Sequence, residues 1–306
     1  MPIALGLGLL TLAIRTLGSQ LLRHPLAEIW QSIATIPRSA VALAVLLTAV
    51  NYWILTGYDT LALRYVRHPL SYPCSALVGA IAYAISNNIG FTFLSGGAIR
   101  YRFYRRWGVS AGAIAQVILF CNLSFWMGFL SVGGCLFTLE PVTAANLLYL
   151  PLSFIRPLGA LFLGAIAGCL GWSLMGRRSL QFRQWQLPHL PFAIALGQIA
   201  VTFADWASIA ALLYVLLPQA LLPSFISFLG IYLLAKVAGV ISNVPGGLGV
   251  FETVILLSLA PADDRMAQVL GVFLAYRGIY YLLPLAIAIL LWATYELNVP
   301  TSQPSQ

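Results

Sequence analysis

Long apolar stretches separated by short polar joints run along the whole chain, and this pattern predicts the secondary structure. A helix that spans a membrane needs about 20 apolar residues. Stretches of that length lie near 3–22, 39–58, 73–94, 110–137, 149–175, 191–217, 222–241 and 267–295. A further apolar helix that ends near residue 260 is too short to cross alone. The pattern predicts an all-α, polytopic integral membrane protein with about eight to nine transmembrane segments.

One stretch, 242–252, interrupts this pattern with the residues Ser-Asn-Val-Pro-Gly-Gly-Leu-Gly-Val-Phe-Glu. Glycine and proline break helices. Broken backbone at membrane depth persists only where protein or a water-filled cavity satisfies its N–H and C=O groups. Discontinuous helices of this kind form binding sites in transporters. A loop between two helices at the membrane surface is the alternative interpretation.

The span 73–94 shares features with the span that precedes this break. Ser86-Asn87 in the earlier span matches Ser242-Asn243, and the glycine pairs Gly96-Gly97 and Gly246-Gly247 follow closely. Matching interruptions in two halves of a membrane protein point to repeats around a central site. We therefore expect two interrupted or re-entrant segments, in an arrangement compatible with an inverted repeat.

The composition is that of a membrane protein. Of the 306 residues, 60% are hydrophobic and 8% are charged, whereas soluble domains average about 25% charged residues. We expect a single transmembrane domain over 1–297 and a polar, disordered tail over 298–306. The cysteines and histidines lack metal-ligand spacing, so the sequence predicts unpaired cysteines, no metal site and no cofactor.

The net charge of +8 reflects arginines that flank the apolar stretches. Such arginines usually set membrane topology, and no basic segment is long enough to suggest nucleic acid as a partner. If every span crosses the membrane, the loops 23–38, 98–109 and 177–188 share one side and hold nine arginines. Arg64 and Arg67 then lie on the other side. The positive-inside rule makes the arginine-rich side cytoplasmic and the N-terminus external.

Five segments resemble the membrane part of the lysylphosphatidylglycerol synthetase/flippase family, the bacterial multiple peptide resistance factors. These segments are Leu55-Thr56-Gly57-Tyr58-Asp59, Ser86-Asn87, Leu94-Ser95-Gly96-Gly97-Ala98-Ile99-Arg100-Tyr101-Arg102, Trp107-Gly108-Val109-Ser110-Ala111-Gly112 and Val244-Pro245-Gly246-Gly247-Leu248-Gly249-Val250-Phe251-Glu252. The resemblance extends over residues 35–290. It implies a domain of the bacterial cytoplasmic membrane that moves an aminoacylated phospholipid between leaflets. Full-length members continue into a cytoplasmic aminoacyl-transfer domain, which we expect this chain to lack.

Translocation of a polar-headed, aminoacylated phospholipid is therefore the expected function, with membrane phospholipid as the partner. Two alternatives stay open. The chain could be the membrane subunit of an aminoacyl-phosphatidylglycerol synthase, acting with a separate cytoplasmic aminoacyl-transfer protein, or a carrier for polyprenyl-phosphate-linked sugars. A homo-oligomer is also left open.

The sequence shows no catalytic motif. The spacing Gly-x-Ser-x-Gly over 108–112 matches a nucleophile elbow, which requires a strand and Asp/His partners that this helical context lacks. Ser110 is instead expected to cap the helix that follows it. An enzymatic activity of this chain alone is therefore not expected.

Ionisable residues at membrane depth are costly and indicate functional sites. Glu252 and Arg277 are expected to pair across one loop, Asp205 and Arg156 to pair or share a cavity, and Lys236 to reach the interface. Arginines beside the first break suit a phosphate. The predicted translocation site comprises Ser86, Asn87, Gly96, Gly97, Arg100, Arg102, Asp205, Ser242, Asn243, Pro245, Gly246, Gly247, Glu252 and Arg277.

Overall fold

The computed structural model describes residues 2–90, 92–148, 150–175, 180–182, 185–187 and 189–298, and these residues are almost entirely helical. The helices are α1 (Pro2–Arg23), α2 (Leu26–Ala34), α3 (Arg38–Tyr65), α4 (Tyr72–Ile89), α5 (Thr92–Arg106), α6 (Ala111–Leu139), α7 (Pro141–Leu148), α8 (Leu152–Met175), α9 (Phe192–Leu216), α10 (Phe225–Ser242), α11 (Val250–Leu259), α12 (Asp263–Tyr276) and α13 (Leu283–Asn298). A short antiparallel ribbon pairs β1 (Leu180–Phe182) with β2 (Trp185–Leu187). The predicted all-α class is confirmed. The tail predicted over 298–306 lies, beyond Asn298, outside the described residues.

Six helical segments in the described part of the chain are long and apolar enough to cross a membrane. They are Arg38–Tyr65, Ala111–Leu139, Leu152–Met175, Phe192–Leu216, Phe225–Ser242 and Asp263–Asn298, and a shorter apolar segment covers Pro245–Leu259. These segments confirm a polytopic membrane protein. Length alone is not sufficient evidence of crossing, because α10 turns back at its end and packs against α11.

The first interrupted segment is a helical hairpin made of α4 and α5. Helix α4 ends at Gly90, whose φ is 78°, and α5 then returns alongside α4. The structure corrects the predicted position of the break, because Gly96 and Gly97 continue α5 as helix. Gly96 serves close packing instead: a Cβ there would lie 2.6 Å from Ser86 Oγ on the facing arm.

The second interrupted segment is the hairpin made of α10 and α11, as the stretch 242–252 predicts. Asn243 caps α10 with a φ of 55°, and Gly246 has a φ of 60°. A single turn of 3-10 helix, Pro245–Gly247, links the two arms. The surface-loop alternative does not hold, because this turn packs against α4 inside the helix bundle.

The two hairpins enter the bundle from opposite ends. Helix α3 runs antiparallel to α4, with Thr60 bonded to Ser75, and the α5 residue Tyr104 returns to the α3 residue Asp59. The first hairpin therefore opens at the C-terminal end of α3. Helix α9 runs antiparallel to α3, so α9 ends at the other end of the helix bundle, where α10 begins. This arrangement is the one an inverted repeat requires.

The first hairpin overturns the topology expected from simple alternation. Because it returns the chain to its starting side, the loop 66–71 shares an end with residues 107–110. The C-terminus of α13 lies there too, since Arg102 and Arg106 contact Glu296. The described arginines of this end are Arg64, Arg67, Arg102, Arg105 and Arg106, and the sequence between α8 and α9 holds three more. We call this end the basic end; Arg38 lies at the opposite end, at the start of α3.

The corrected topology predicts which residues can be labelled from each side of the membrane. The positive-inside rule makes the basic end cytoplasmic. In a variant without native cysteines, a cysteine at His68 should react with an impermeant thiol reagent only from the cytoplasm, whereas one at Asn146 should react only from outside. The N-terminus of α1 should then be cytoplasmic. External labelling at position 68 would restore the simple alternation.

Candidate functional site

The tips of the two hairpins meet inside the helix bundle. A Cβ on Gly90 would lie 3.3 Å from Pro245 Cα, and a Cβ on Gly246 would lie 3.2 Å from the Asn87 carbonyl oxygen. Both glycines also have positive φ values, which other residues rarely adopt. Glycine at these two positions thus allows both the turns and the backbone contact between the tips.

The ion pair of Glu252 with Arg277 stabilises the tip of the second hairpin. Arg277 Nε donates to Glu252 Oε1 at 2.7 Å, and Arg277 Nη1 donates to the Gly246 carbonyl oxygen at 2.7 Å. Glu252 Oε2 accepts from the Gly249 N–H at 2.8 Å. The pair therefore satisfies backbone groups on both sides of the break, as broken backbone at membrane depth requires. The predicted pairing of Glu252 with Arg277 is confirmed.

The first tip is held by a matching set of side-chain to backbone bonds. Asn88 Nδ2 donates to the Tyr281 carbonyl oxygen at 3.1 Å, and Ser95 Oγ donates to the Gly90 carbonyl oxygen at 2.9 Å. Tyr281 lies in a π-helical segment, Arg277–Leu282, between α12 and α13. Such segments are frequent at functional sites. The first tip is thus anchored to the same connection that carries Arg277.

A second buried ion pair supports the first hairpin. Arg100 on α5 donates from Nε and Nη2 to the two oxygens of Asp59 on α3, both at 2.8 Å. Tyr104 donates its hydroxyl to Asp59 Oδ1 at 2.7 Å. The side chains of Arg100 and Asp59 are 2% and 0% exposed. The guanidinium group predicted to bind phosphate is therefore already occupied by a carboxylate.

A cavity of about 370 Å³ lies where the tips meet. Both hairpins contribute to its wall, together with α3, α6, α9 and the π-helical segment. The lining residues are Leu55, Tyr58, Tyr83, Ser86, Asn87, Gly90, Leu94, Arg100, Cys121, Asn122, Phe125, Trp126, Asp205, Trp206, Ile209, Tyr232, Lys236, Gly239, Val240, Asn243, Val244, Gly246, Gly247, Phe251, Tyr280 and Tyr281. The cavity is of a size that suits the polar part of a small ligand.

Two charged groups in this cavity are not committed to an ion pair among the described residues: Asp205 and Lys236. Asp205 accepts from Asn51 Nδ2 at 2.7 Å and from the Tyr58 hydroxyl at 2.9 Å, both neutral donors. Lys236 Nζ lies 5.9 Å from the centre of the Tyr281 ring. The cavity therefore offers one anionic and one cationic group to a ligand.

The structure brings half of the predicted site residues to the cavity wall. Those that line it are Ser86, Asn87, Arg100, Asp205, Asn243, Gly246 and Gly247. Ser242 Oγ accepts from the Val244 N–H. The turn of the second tip begins with Pro245, and the tip is held by the ion pair of Glu252 with Arg277. Gly96 and Gly97 lie on the packing faces of α5. Arg102 lies apart, on the surface with Glu296, and Arg156 is exposed on α8 rather than paired with Asp205.

Sequence reasoning missed Lys236 and the hydrogen-bond partners of Asp205. Lys236 was expected to reach the interface, yet it lies one turn before Gly239 and Val240 in the wall of the cavity. Asn51 and Tyr58 lie on α3, and Tyr58 belongs to a segment that carries the family resemblance. A signal was available: Asn51 and Tyr58 are seven residues apart and share one face of a helix.

A smaller prediction concerns the start of α6. Ser110 Oγ accepts from the Ala113 N–H at 3.3 Å, which confirms Ser110 as the N-cap of α6. The four cysteines, Cys74, Cys121, Cys135 and Cys169, are free thiols. No cluster of histidine, cysteine or acidic residues able to hold a metal ion occurs among the described residues.

Fold and site together define a class of protein: a multi-pass membrane protein in which two opposed helical hairpins meet at a cavity with Asp205 and Lys236 in its wall. The chain belongs to the family described as the lysylphosphatidylglycerol synthase TM region, whose model matches residues 3–288. The resemblance seen in the sequence is thereby confirmed, and it covers nearly the whole chain.

Three relatives illustrate the range of this family. An uncharacterised protein of Synechocystis, slr0712, is 47% identical over 97% of this chain and 92% of its own length. The Escherichia coli inner membrane protein YbhN is 30% identical over 88% of this chain and 84% of its own length. A phosphatidylglycerol lysyltransferase of Staphylococcus xylosus is 26% identical over 97% of this chain, but the match covers 34% of that protein. The family link indicates a membrane role in lipid modification or translocation.

Proposed function

We propose that this protein moves a phospholipid with a polar, cation-bearing headgroup across the bacterial cytoplasmic membrane. The observation that carries the proposal is the cavity at the meeting point of the two tips, with Lys236 and Asp205 in its wall. Charged groups at membrane depth are costly and are retained on transport pathways. Hairpins that enter from opposite ends and meet at this cavity support a path that connects the two leaflets.

The rim of the cavity supports a lipid as the substrate. Leu94, Trp126 and Val240 line the cavity and are also exposed, at 67%, 47% and 45%. In a membrane protein such exposed apolar side chains face the acyl chains. A headgroup can therefore enter the cavity while its acyl chains remain in the bilayer, which a water-soluble substrate would not need.

Lys236 and Asp205 bind the two oppositely charged parts of the headgroup. Lys236 is the cation that remains available for the phosphate, because Arg100 and Arg277 are held by Asp59 and Glu252. Asp205 is the anion that remains available for an ammonium group, such as that of an aminoacyl ester. This assignment replaces the expectation that arginines hold the phosphate.

A second candidate function is favoured by the similarity to the phosphatidylglycerol lysyltransferase. That relative is about three times as long as the matched region. The chain would then be the membrane part of an aminoacyl-phospholipid synthase that acts with a separate transferase. Retention of aminoacylated lipid at the cytoplasmic face, without transfer between leaflets, would distinguish this function from translocation.

Substitution of Lys236 tests the proposed function. In vesicles that contain the purified protein and lysylphosphatidylglycerol, the wild type should expose internal lipid to an impermeant amine reagent faster than protein-free vesicles do. Lys236→Met should slow this movement by about 10- to 100-fold, the range expected for one lost charge-assisted hydrogen bond. Lys236→Arg should retain most of the rate.

The matched control is Arg38→Met, which removes an exposed cation at the opposite end from the basic end and should leave the rate unchanged. Equal rates in wild-type and protein-free vesicles would contradict translocation. A normal rate in Lys236→Met would show instead that the phosphate is bound elsewhere.

A further inference from the structure

Three carboxylates lie in the middle of the helix bundle, and one of them differs from the other two. Asp59 and Glu252 each contact an arginine at ion-pair distance. Asp205 contacts no basic side chain of the described residues at that distance. An ionised carboxylate removed from water is costly without a charged partner. Asp205 is therefore a site that favours a cation at ion-pair distance, which none of the described side chains supplies.

The surroundings of Asp205 orient the carboxylate without neutralising it. On α3, Asn51 and Tyr58 donate to its two oxygens, and Tyr280 donates its hydroxyl to Asn51 Oδ1 at 2.9 Å. The titratable groups that face Asp205 from the surrounding helices are Tyr52 and Tyr58 on α3, Tyr83 on α4, Lys236 and Tyr232 on α10, and Tyr280 in the π-helical segment. Lys236 is the one cation among them and shares the cavity with Asp205 without forming an ion pair.

A second arginine-containing ion pair, Arg100 with Asp59, lies beside the same cavity as Asp205. Arg100 lines that cavity, and its guanidinium carbon lies 4.9 Å above the Tyr83 ring. Since both oxygens of Asp59 bind Arg100, that positive charge is compensated locally. A phosphate bound to Lys236 would likewise compensate the positive charge of the Lys236 ammonium group. Asp205 is then left to take a cation from the ligand or from water.

We propose that Asp205 binds a proton and the cationic group of the headgroup in turn, so that the protein exchanges lipid for protons. The proposal rests on the proposed function. An ammonium group that enters the cavity displaces the carboxyl proton to water on that side. When the headgroup leaves on the other side, Asp205 takes a proton from the water there. No covalent bond of the lipid is made or broken, and one proton moves opposite to each lipid.

Exchange of this kind has a measurable consequence. Protons run from the acidic to the alkaline compartment, so the lipid accumulates in the leaflet that faces the acidic compartment. With the membrane voltage held at zero and one proton per lipid, each unit of pH difference should shift the leaflet ratio about tenfold, because one pH unit corresponds to about 1.4 kcal/mol. A passive translocator would give equal leaflets at every pH difference.

The experiment uses the full chain in phosphatidylcholine vesicles that contain a minority of phosphatidylethanolamine or, in a parallel set, lysylphosphatidylglycerol. Valinomycin and equal potassium on both sides hold the voltage at zero while the internal pH is varied. An impermeant amine reagent then measures the lipid in the outer leaflet. Asp205→Asn is the test variant, and Asp264→Asn, which makes the same change at an exposed position on α12, is the matched control.

The wild type and Asp264→Asn should follow the pH difference, and Asp205→Asn should not. Leaflet ratios of the wild type that stay constant at all pH differences, while lipid still moves, would overturn the exchange and leave translocation intact. A pH response retained in Asp205→Asn would overturn Asp205 as the proton site. Failure of the wild type to move either lipid would overturn the proposed function and the exchange together. The wild-type outcome does not depend on whether the variant folds.

Discussion

Replacement of Asp59 by asparagine should lower the free energy of unfolding by about 3–5 kcal/mol, the range for a buried ion pair that loses one partner. The variant leaves the Arg100 guanidinium group without a counter-charge at a position where its side chain is 2% exposed. It also alters the acceptor of the Tyr104 hydroxyl. Because the pair joins α3 to the returning arm of the first hairpin, the hairpin should loosen and lipid movement should fall with stability.

Thermal or denaturant unfolding in detergent measures this effect. A double variant, Asp59→Asn with Arg100→Met, should recover part of the loss, since it removes the uncompensated charge along with its partner. Asp264→Asn serves as the control at an exposed position and should change stability by less than about 1 kcal/mol, the effect of one charge in the first turn of a helix. An Asp59→Asn variant that unfolds like the wild type would show that Arg100 reaches another partner or water.

The membrane class and most helices follow from hydrophobic pattern alone, because a span must be long and apolar. The interruption over 242–252 is also predictable, because a proline and three glycines lie within the five residues 245–249, and such a cluster favours a break over a continued helix. The pairing of Glu252 with Arg277 follows from one short connection between successive helices. These features depend on local sequence and on neighbouring elements.

The first hairpin was harder to predict, because the sequence signal for its turn is weak. Among the described residues the turn is made at Gly90, within a run that is otherwise apolar enough to read as one span. The more conspicuous Gly96-Gly97 pair marks where the arms pack, and glycine serves turns and close packing equally well. Asp59 and Arg100 therefore read as loop residues when they are in fact buried.

The grouping of Asp205 with Lys236 could not be predicted, because it depends on packing between distant segments. Helix α3 brings Asn51 and Tyr58 to Asp205 across about 150 residues of chain, a separation that hydrophobic periodicity does not address. Lys236 lies near the tip of the second hairpin, where α10 ends at Asn243, and lines the same cavity as Asp205. The cavity is thus a property of the two hairpins together.

Removal of the Glu252–Arg277 pair should stop lipid movement even where the protein stays folded. Glu252→Gln and Arg277→Gln should each destabilise the protein by about 3–5 kcal/mol, because each leaves a charge unpaired away from water. The loss of stability in the double variant should be smaller than the losses of the two single variants added together. All three should lose movement, since Arg277→Gln removes the donor that holds the Gly246 carbonyl, and Glu252→Gln removes the charge that holds this arginine in place.

The surface pair of Arg106 with Glu296 provides the matched control for this cycle. Its side chains are 37% and 30% exposed, so the corresponding Arg106→Gln, Glu296→Gln and double variants should show little coupling and normal lipid movement. Additive losses at Glu252 and Arg277 would show that the two residues are not coupled. Full movement in their double variant would mean that Pro245 and the packing of Gly246 on Asn87 are sufficient to hold the tip, and that the ion pair serves stability alone.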